Sequence, residues 1–117
     1  MPPISKAMQL YTNERNNLNS LLDRIQTLLR DQDVGSDELE EARGELEDAE
    51  NAFFAAHDGL SKLQRKKTKD ERSHLHTCVN DCMCDLLDAV ILKRRDRRLQ
   101  QERQAEVQHL QRERSRG

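Results

Sequence analysis

The sequence predicts an all-α protein: an antiparallel helical hairpin followed by a long third helix, packed as a coiled-coil-like three-helix bundle. Apolar or small residues recur at alternating spacings of three and four along most of the chain, which is the period of an a/d seam. Only 34% of the residues are apolar and 36% are charged, so a single chain can form only a thin core. We therefore expect helices that also share apolar stripes with a second copy, most simply as a dimer.

The first helix is predicted from about residue 4 to residue 30. Its apolar stripe consists of Ile4, Met8, Tyr11, Leu18, Leu22, Ile25 and Leu29. The segment DQDVGSD at 31–37 ends this helix, since Gly35 can adopt a left-handed conformation there. Asp37 and Glu40 match a capping box at the start of the next helix. Because the connection is short, the second helix should return antiparallel along the first.

The second helix is predicted over residues 37–64, where the seam is unbroken. Its members are Leu39, Ala42, Leu46, Ala49, Phe53, Ala56, Leu60 and Leu63. Such a seam is buried only when another helix lies along it. The stretch from Asp37 to Asp58 also holds nine acids and a single base, Arg43, so the solvent face should be strongly anionic.

The third helix is predicted over residues 69–92, which completes a helical assembly domain at residues 1–92. The segment QRKKTKDE at 64–71 has no apolar residue and is predicted to be a loop, with Thr68 as the helix start. From Leu86 to Leu92 the helix is apolar on nearly every side, which requires more than one neighbour. The predicted interface with a second copy consists of Phe54, Met83, Leu87, Val90 and Ile91.

Residues 93–117 are predicted to be a basic helical extension or tail without a continuous apolar stripe. They hold nine Arg or Lys and four Asp or Glu. The candidates for contact with nucleic-acid phosphates are Lys93, Arg94, Arg95, Arg97 and Arg98. We favour a solvated or protein-facing helix surface, because no aromatic side chain is interleaved for base stacking. The basic segment could also pair with the acidic second helix of a neighbouring copy.

Sites of chemistry are sparse, and the sequence predicts no enzyme, metal or cofactor. His74, Cys78 and Cys82 share helical spacing that could bind zinc, but the cysteines lie on or beside the apolar stripe, where Cys packs as a small hydrophobe. An odd number of cysteines in one helix, without an apolar signal segment, suggests an intracellular protein, cytoplasmic or nuclear. The longest apolar run, Ala89–Leu92, is too short to cross a membrane.

Residues 15–91 resemble the helical N-terminal region of Gag-type polyproteins from Bel/Pao-class retrotransposons. The resemblance rests on RNNLNSLLDRIQTLL, a short acidic turn, DELEEARGELEDAENAFFAAHDGL, a charged loop and ERSHLHTCVNDCMCDLLDAVI. It implies a protein-assembly domain with no catalytic residues.

The predicted function is therefore a non-enzymatic module for self-association or protein interaction, acting as a scaffold or adaptor. Its predicted partners are a second copy of the chain and another protein. The alternative is a nucleic-acid-binding assembly protein that uses residues 93–117.

Overall fold

A computed structural model describes residues 5–116, with side-chain environments for residues 5–112. It contains three helices: α1 (Lys6–Arg30), α2 (Ser36–Asp58) and α3 (Lys62–Arg116). No strand occurs in this part of the chain, which confirms the predicted all-α class. Ile4, the first residue of the predicted stripe, lies outside the described residues. Within them, no helix has both the length and the apolarity that a membrane span requires.

The connection between α1 and α2 differs in detail from its predicted form. The Asp31 carboxylate accepts a hydrogen bond from the Asp33 N–H at 2.9 Å, which closes a tight local turn. Gly35 is extended, with φ −87° and ψ 163°, and serves as the N-cap of α2 without a side-chain cap. Helix α2 thus begins before Asp37, and the predicted capping box does not form.

The junction between α2 and α3 lies several residues earlier than predicted. Ser61 Oγ accepts from the Gln64 N–H, and Gln64 Oε1 accepts from the Ser61 N–H, each at 3.2 Å. This reciprocal pair is a capping box, and it starts α3 at Lys62. The supposed loop at 64–71 is therefore helical, and Thr68 donates its hydroxyl hydrogen to the Gln64 carbonyl at 2.8 Å inside the helix. Leu63, assigned to the seam by its spacing, is instead 63% exposed.

The helices pack through one continuous core. Its members are Tyr11, Leu18, Leu21, Ile25, Val34, Leu39, Ala42, Leu46, Ala49, Phe53, Ala56, Leu60, Leu75, Val79, Cys82, Leu86 and Val90. Two contacts show that α2 runs antiparallel to α1: Arg24 pairs with Glu45, and the rings of Tyr11 and Phe53 lie 5.3 Å apart. On α2 the large residues alternate with alanines at 42, 49 and 56, which lets the neighbouring backbones approach closely.

Helix α3 runs far beyond the part that contacts α1 and α2. Its 55 residues would span about 82 Å, which matches the longest dimension of the molecule, 87 Å. Near the end of the bundle, Lys93 Nζ donates to the Gln32 carbonyl at 2.6 Å, and Arg94 pairs with Glu40 at 2.8 Å. We call residues 95–116 the arm; its described side chains are all exposed.

Candidate interaction surface

Exposed apolar side chains are concentrated on the second half of α3. Eight large apolar side chains are exposed among the described residues, and six of them lie between positions 87 and 110. These six are Leu87, Ile91, Leu92, Leu99, Val107 and Leu110. A single exposed leucine is ordinary, but a succession of them along one helix is typical of a surface that another helix covers.

The predicted interface residues on α3 divide into two groups. Leu87 and Ile91 are 45% and 55% exposed and lie one helical turn apart, so both can contact a second molecule. We call this pair the apolar edge. Met83 is half-buried against the core. Val90 is only 3% exposed and belongs to the core, which corrects its assignment to the interface. The other two helices cover a wider arc of α3 than its sequence pattern suggested.

Phe54 is partly buried and contacts side chains of its own chain. The guanidinium carbon of Arg72 lies 4.5 Å from the centre of the Phe54 ring, a cation–π arrangement. The rings of Phe53 and His76 lie 6.0 and 5.5 Å away. His76, which lies beside Phe54, precedes Leu87 on α3 by eleven residues, or about 16 Å along the helix axis. Phe54 thus lies apart from the apolar edge, and its role as an interface anchor stays a prediction.

A polar cluster lies at the edge of the core near the start of α3. Tyr11 is fully buried, and its hydroxyl donates to the Glu71 carboxylate. Glu71 also lies 3.4 Å from Arg15, so one carboxylate serves two residues of α1. Burial, and then the bond to Glu71, raise the pKa of Tyr11 far above its usual range. Arg15 lies between Tyr11 and Leu18 along the first-helix stripe, and nothing in the local sequence indicates its pairing with a carboxylate on another helix.

His57 is a buried polar residue beside the core. Its Nδ1 lies 3.3 Å from an Arg72 guanidinium nitrogen, and its Nε2 has no hydrogen-bond partner among the described residues. Burial lowers the pKa of His57, and the charge of Arg72 lowers it further. Arg72 is in turn 3.5 Å from Asp58. The imidazole therefore packs here as a neutral ring, beside the Tyr11 ring at 5.8 Å.

The cysteines occupy three different environments. Cys82 is buried, and burial followed by the nearby Asp85 raises its pKa to about 11. Cys78 is half-buried with its Sγ 3.7 Å from His74 Nε2, and Cys84 is exposed. In the portion of the chain that the structure describes, no three His, Cys, Asp or Glu side chains converge on a metal position. The helical spacing of these residues therefore brings only Cys78 and His74 together.

The basic block at the start of the arm is divided between two environments. Lys93 and Arg94 are engaged with the ends of α1 and α2, as described above. Arg95, Arg97 and Arg98 are exposed beyond the bundle. At about 100° per residue, Arg95 and Arg98 lie about 60° apart and Arg97 lies about 100° or more from either, so one phosphate backbone could contact only some of them.

No known protein family, curated protein or solved structure is detectably similar to this chain.

Proposed function

We propose that this protein is a non-enzymatic scaffold or adaptor that associates with itself through the second half of α3. In this proposal the antiparallel hairpin of α1 and α2 supports the long third helix, and two chains meet at the apolar edge. The resemblance of residues 15–91 to Gag-type assembly domains is in keeping with such a role. The proposed location is intracellular, cytoplasmic or nuclear.

The observation that carries the proposal is the uncovered apolar surface of α3. Leu87 and Ile91 sit at the side of a bundle whose own core is complete, and neither is needed to fill it. When two such side chains on each of two copies are covered, the apolar area removed from water contributes several kcal/mol to the free energy of association. The figure assumes ~1.5 kcal/mol for each half-buried leucine-sized group. Association therefore stabilises this surface without any rearrangement of the bundle.

The test is sedimentation equilibrium on the full chain and on Leu87→Asp. Because one substitution alters both copies, we expect the dissociation constant at the apolar edge to rise about a hundredfold. The matched control is Leu63→Asp, an identical change at a still more exposed leucine in the first turn of α3. Wild-type protein that stays monomeric at concentrations up to about 1 mM would refute the proposed function.

A second candidate function is non-specific binding of nucleic acid by the arm, favoured by the exposure of Arg95, Arg97 and Arg98. Replacing all three by glutamine should weaken binding to duplex RNA or DNA. It should also lower the slope of log affinity against log salt by up to about 2, because only Arg95 and Arg98 lie on one side of the arm. Fluorescence anisotropy at several salt concentrations would measure both. Equal binding by the wild type and the triple variant would exclude this role.

A further inference from the structure

We infer that the arms of two copies pair side by side in opposite directions, as a short antiparallel coiled coil over residues 99–110. The inference extends the proposed function, because it gives the same assembly a second contact that is separate from the apolar edge. It follows from three features of the arm: an exposed seam, a self-complementary order of residues along that seam, and described side chains that neither α1 nor α2 covers.

The seam lies on one face of the arm. Its members follow one another at spacings of 7, 4, 3 and 4 residues: Leu92, Leu99, Arg103, Glu106 and Leu110. On a helix of about 100° per residue they fall within about 60° of one another. Leu99 and Leu110 are 46% and 58% exposed. These spacings put Leu99 and Glu106 at d positions and Arg103 and Leu110 at a positions of a heptad repeat.

Within the three-helix bundle, the same face of α3 is acidic. There it presents three exposed carboxylates, at Asp81, Asp85 and Asp88. The a position between Leu92 and Leu99 is also an exposed carboxylate, Asp96, so a partner helix would gain little by following this face past Leu99. The seam is confined to the part of α3 that α1 and α2 leave uncovered.

The order of residues along the seam complements itself in one orientation only. In an antiparallel pair, a positions of one helix meet d positions of the other. Leu99 then faces Leu110 of the second copy, and Arg103 faces Glu106 of the second copy, with each layer occurring twice about the two-fold axis. In a parallel pair, Arg103 would face Arg103 and Glu106 would face Glu106. Charge therefore selects the antiparallel arrangement.

The arm also needs a neighbour. It is a helix of 22 residues by its bounds, and none of its described side chains is buried against α1 or α2. Helices in water draw most of their stability from tertiary packing on an apolar face. Two outer leucine layers supply such packing, while the two central Arg103–Glu106 layers determine register and direction more than strength.

Two separate two-fold contacts on one chain predict an assembly larger than a dimer. The apolar edge would join chains into one kind of pair, and the arms would join those pairs to each other. Each contact can then be removed alone by a substitution at an exposed position, which leaves the core intact.

The experiment uses four full-length variants: Arg103→Glu, Glu106→Arg, the double exchange of both, and Arg98→Glu as the matched control. Arg98 undergoes the same charge reversal but lies about 110° around the helix from the middle of the seam, outside the face that would pair. Arg103→Glu places like charges in two layers, and at about tenfold for each layer we expect arm pairing to weaken about a hundredfold. The double exchange should restore it.

The sharpest result comes from mixing the two single variants. Arg103→Glu carries glutamate at both seam positions, and Glu106→Arg carries arginine at both, so each variant alone has two like-charged layers. In a mixed antiparallel pair every glutamate of one chain faces an arginine of the other. The two variants should therefore form a one-to-one complex in sedimentation equilibrium. Failure of the mixture to associate more strongly than either variant alone would overturn arm pairing.

The outcomes separate this inference from the proposed function. Wild-type protein larger than a dimer, reduced to a dimer by Arg103→Glu, supports both. A wild-type dimer that Arg103→Glu leaves unchanged overturns arm pairing and retains the apolar edge. A wild-type dimer that Arg103→Glu converts to monomer supports arm pairing and excludes the apolar edge, and a wild-type monomer excludes both.

Small-angle X-ray scattering tests the direction of pairing. In the Leu87→Asp background, only the arms should join two chains. Antiparallel pairing over residues 99–110 gives a particle about 130 Å long. A dimer of about 90 Å would fit either parallel arms or arms packed along the other bundle, and it would overturn the inference.

Discussion

Two leucines that the sequence pattern treats as equivalent should differ sharply in their contribution to stability. Leu46 and Leu63 both belong to the seam by spacing, yet Leu46 is fully buried between the helices and Leu63 is mostly exposed. Leu46→Ala removes three buried carbon atoms from the side chain. At ~0.8 kcal/mol for each, this lowers the free energy of unfolding by about 2.4 kcal/mol. The residual cavity adds to this, so we expect Leu46→Ala to lower the free energy of unfolding by about 3 kcal/mol.

Leu63→Ala is the matched control. Its side chain already contacts water, so the free energy of unfolding should change by less than about 0.5 kcal/mol. Urea unfolding followed by far-ultraviolet circular dichroism would measure both variants, at one protein concentration because association adds to apparent stability. Comparable losses at the two positions would show that α2 continues to the end of the seam, and would refute the helix boundary on which this reasoning depends.

Three further predictions concern single sites. Gly44→Ala should raise the free energy of unfolding by up to about 1 kcal/mol in urea unfolding, because an added Cβ meets no atom within 4 Å. A lower free energy of unfolding would indicate a close neighbour in an assembly. The pKa of His57 is lowered by folding, so the unfolded chain binds the proton more readily. Its contribution to stability is then complete above the unfolded pKa of ~6.5 and is lost as the pH falls below it. Unfolding measured from about pH 7 to pH 5 should show this loss, and His57→Phe should reduce it. Thiol alkylation followed by mass spectrometry should modify Cys84 quickly and Cys82 only on unfolding, and equal rates would contradict the packing of Cys82.

The helices and most of the core could be predicted from the residue pattern. Seven of the eight residues in the α2 seam are buried, because a 3-4 spacing places side chains on one helix face whatever the neighbour is. Cys82 was expected to pack as a small hydrophobe, and it is buried in the core. Among the proposed contact residues, Leu87 and Ile91 lie on the surface where a second molecule can reach them.

The helix ends could not be read from the same pattern. The start of α3 is determined by the side chains of Ser61 and Gln64, which bond each other's backbone. The polar stretch that follows is helical, because lysine, arginine and glutamine have good helix propensity even where no apolar stripe exists. The pattern alone therefore placed Leu63 in a seam that had already ended.

Periodicity determined which residues share a helix face, and this follows from the geometry of a single helix. Only the tertiary structure decided how much of each face its neighbours cover. The arrangement of three helices buries Val90, brings Arg72 over the ring of the partly buried Phe54 and leaves Leu87 exposed to water. It also brings Arg15 to Glu71, residues 56 positions apart, which no local signal could indicate. The physical reason is that burial and charge pairing depend on distances between helices, and those distances are fixed by packing.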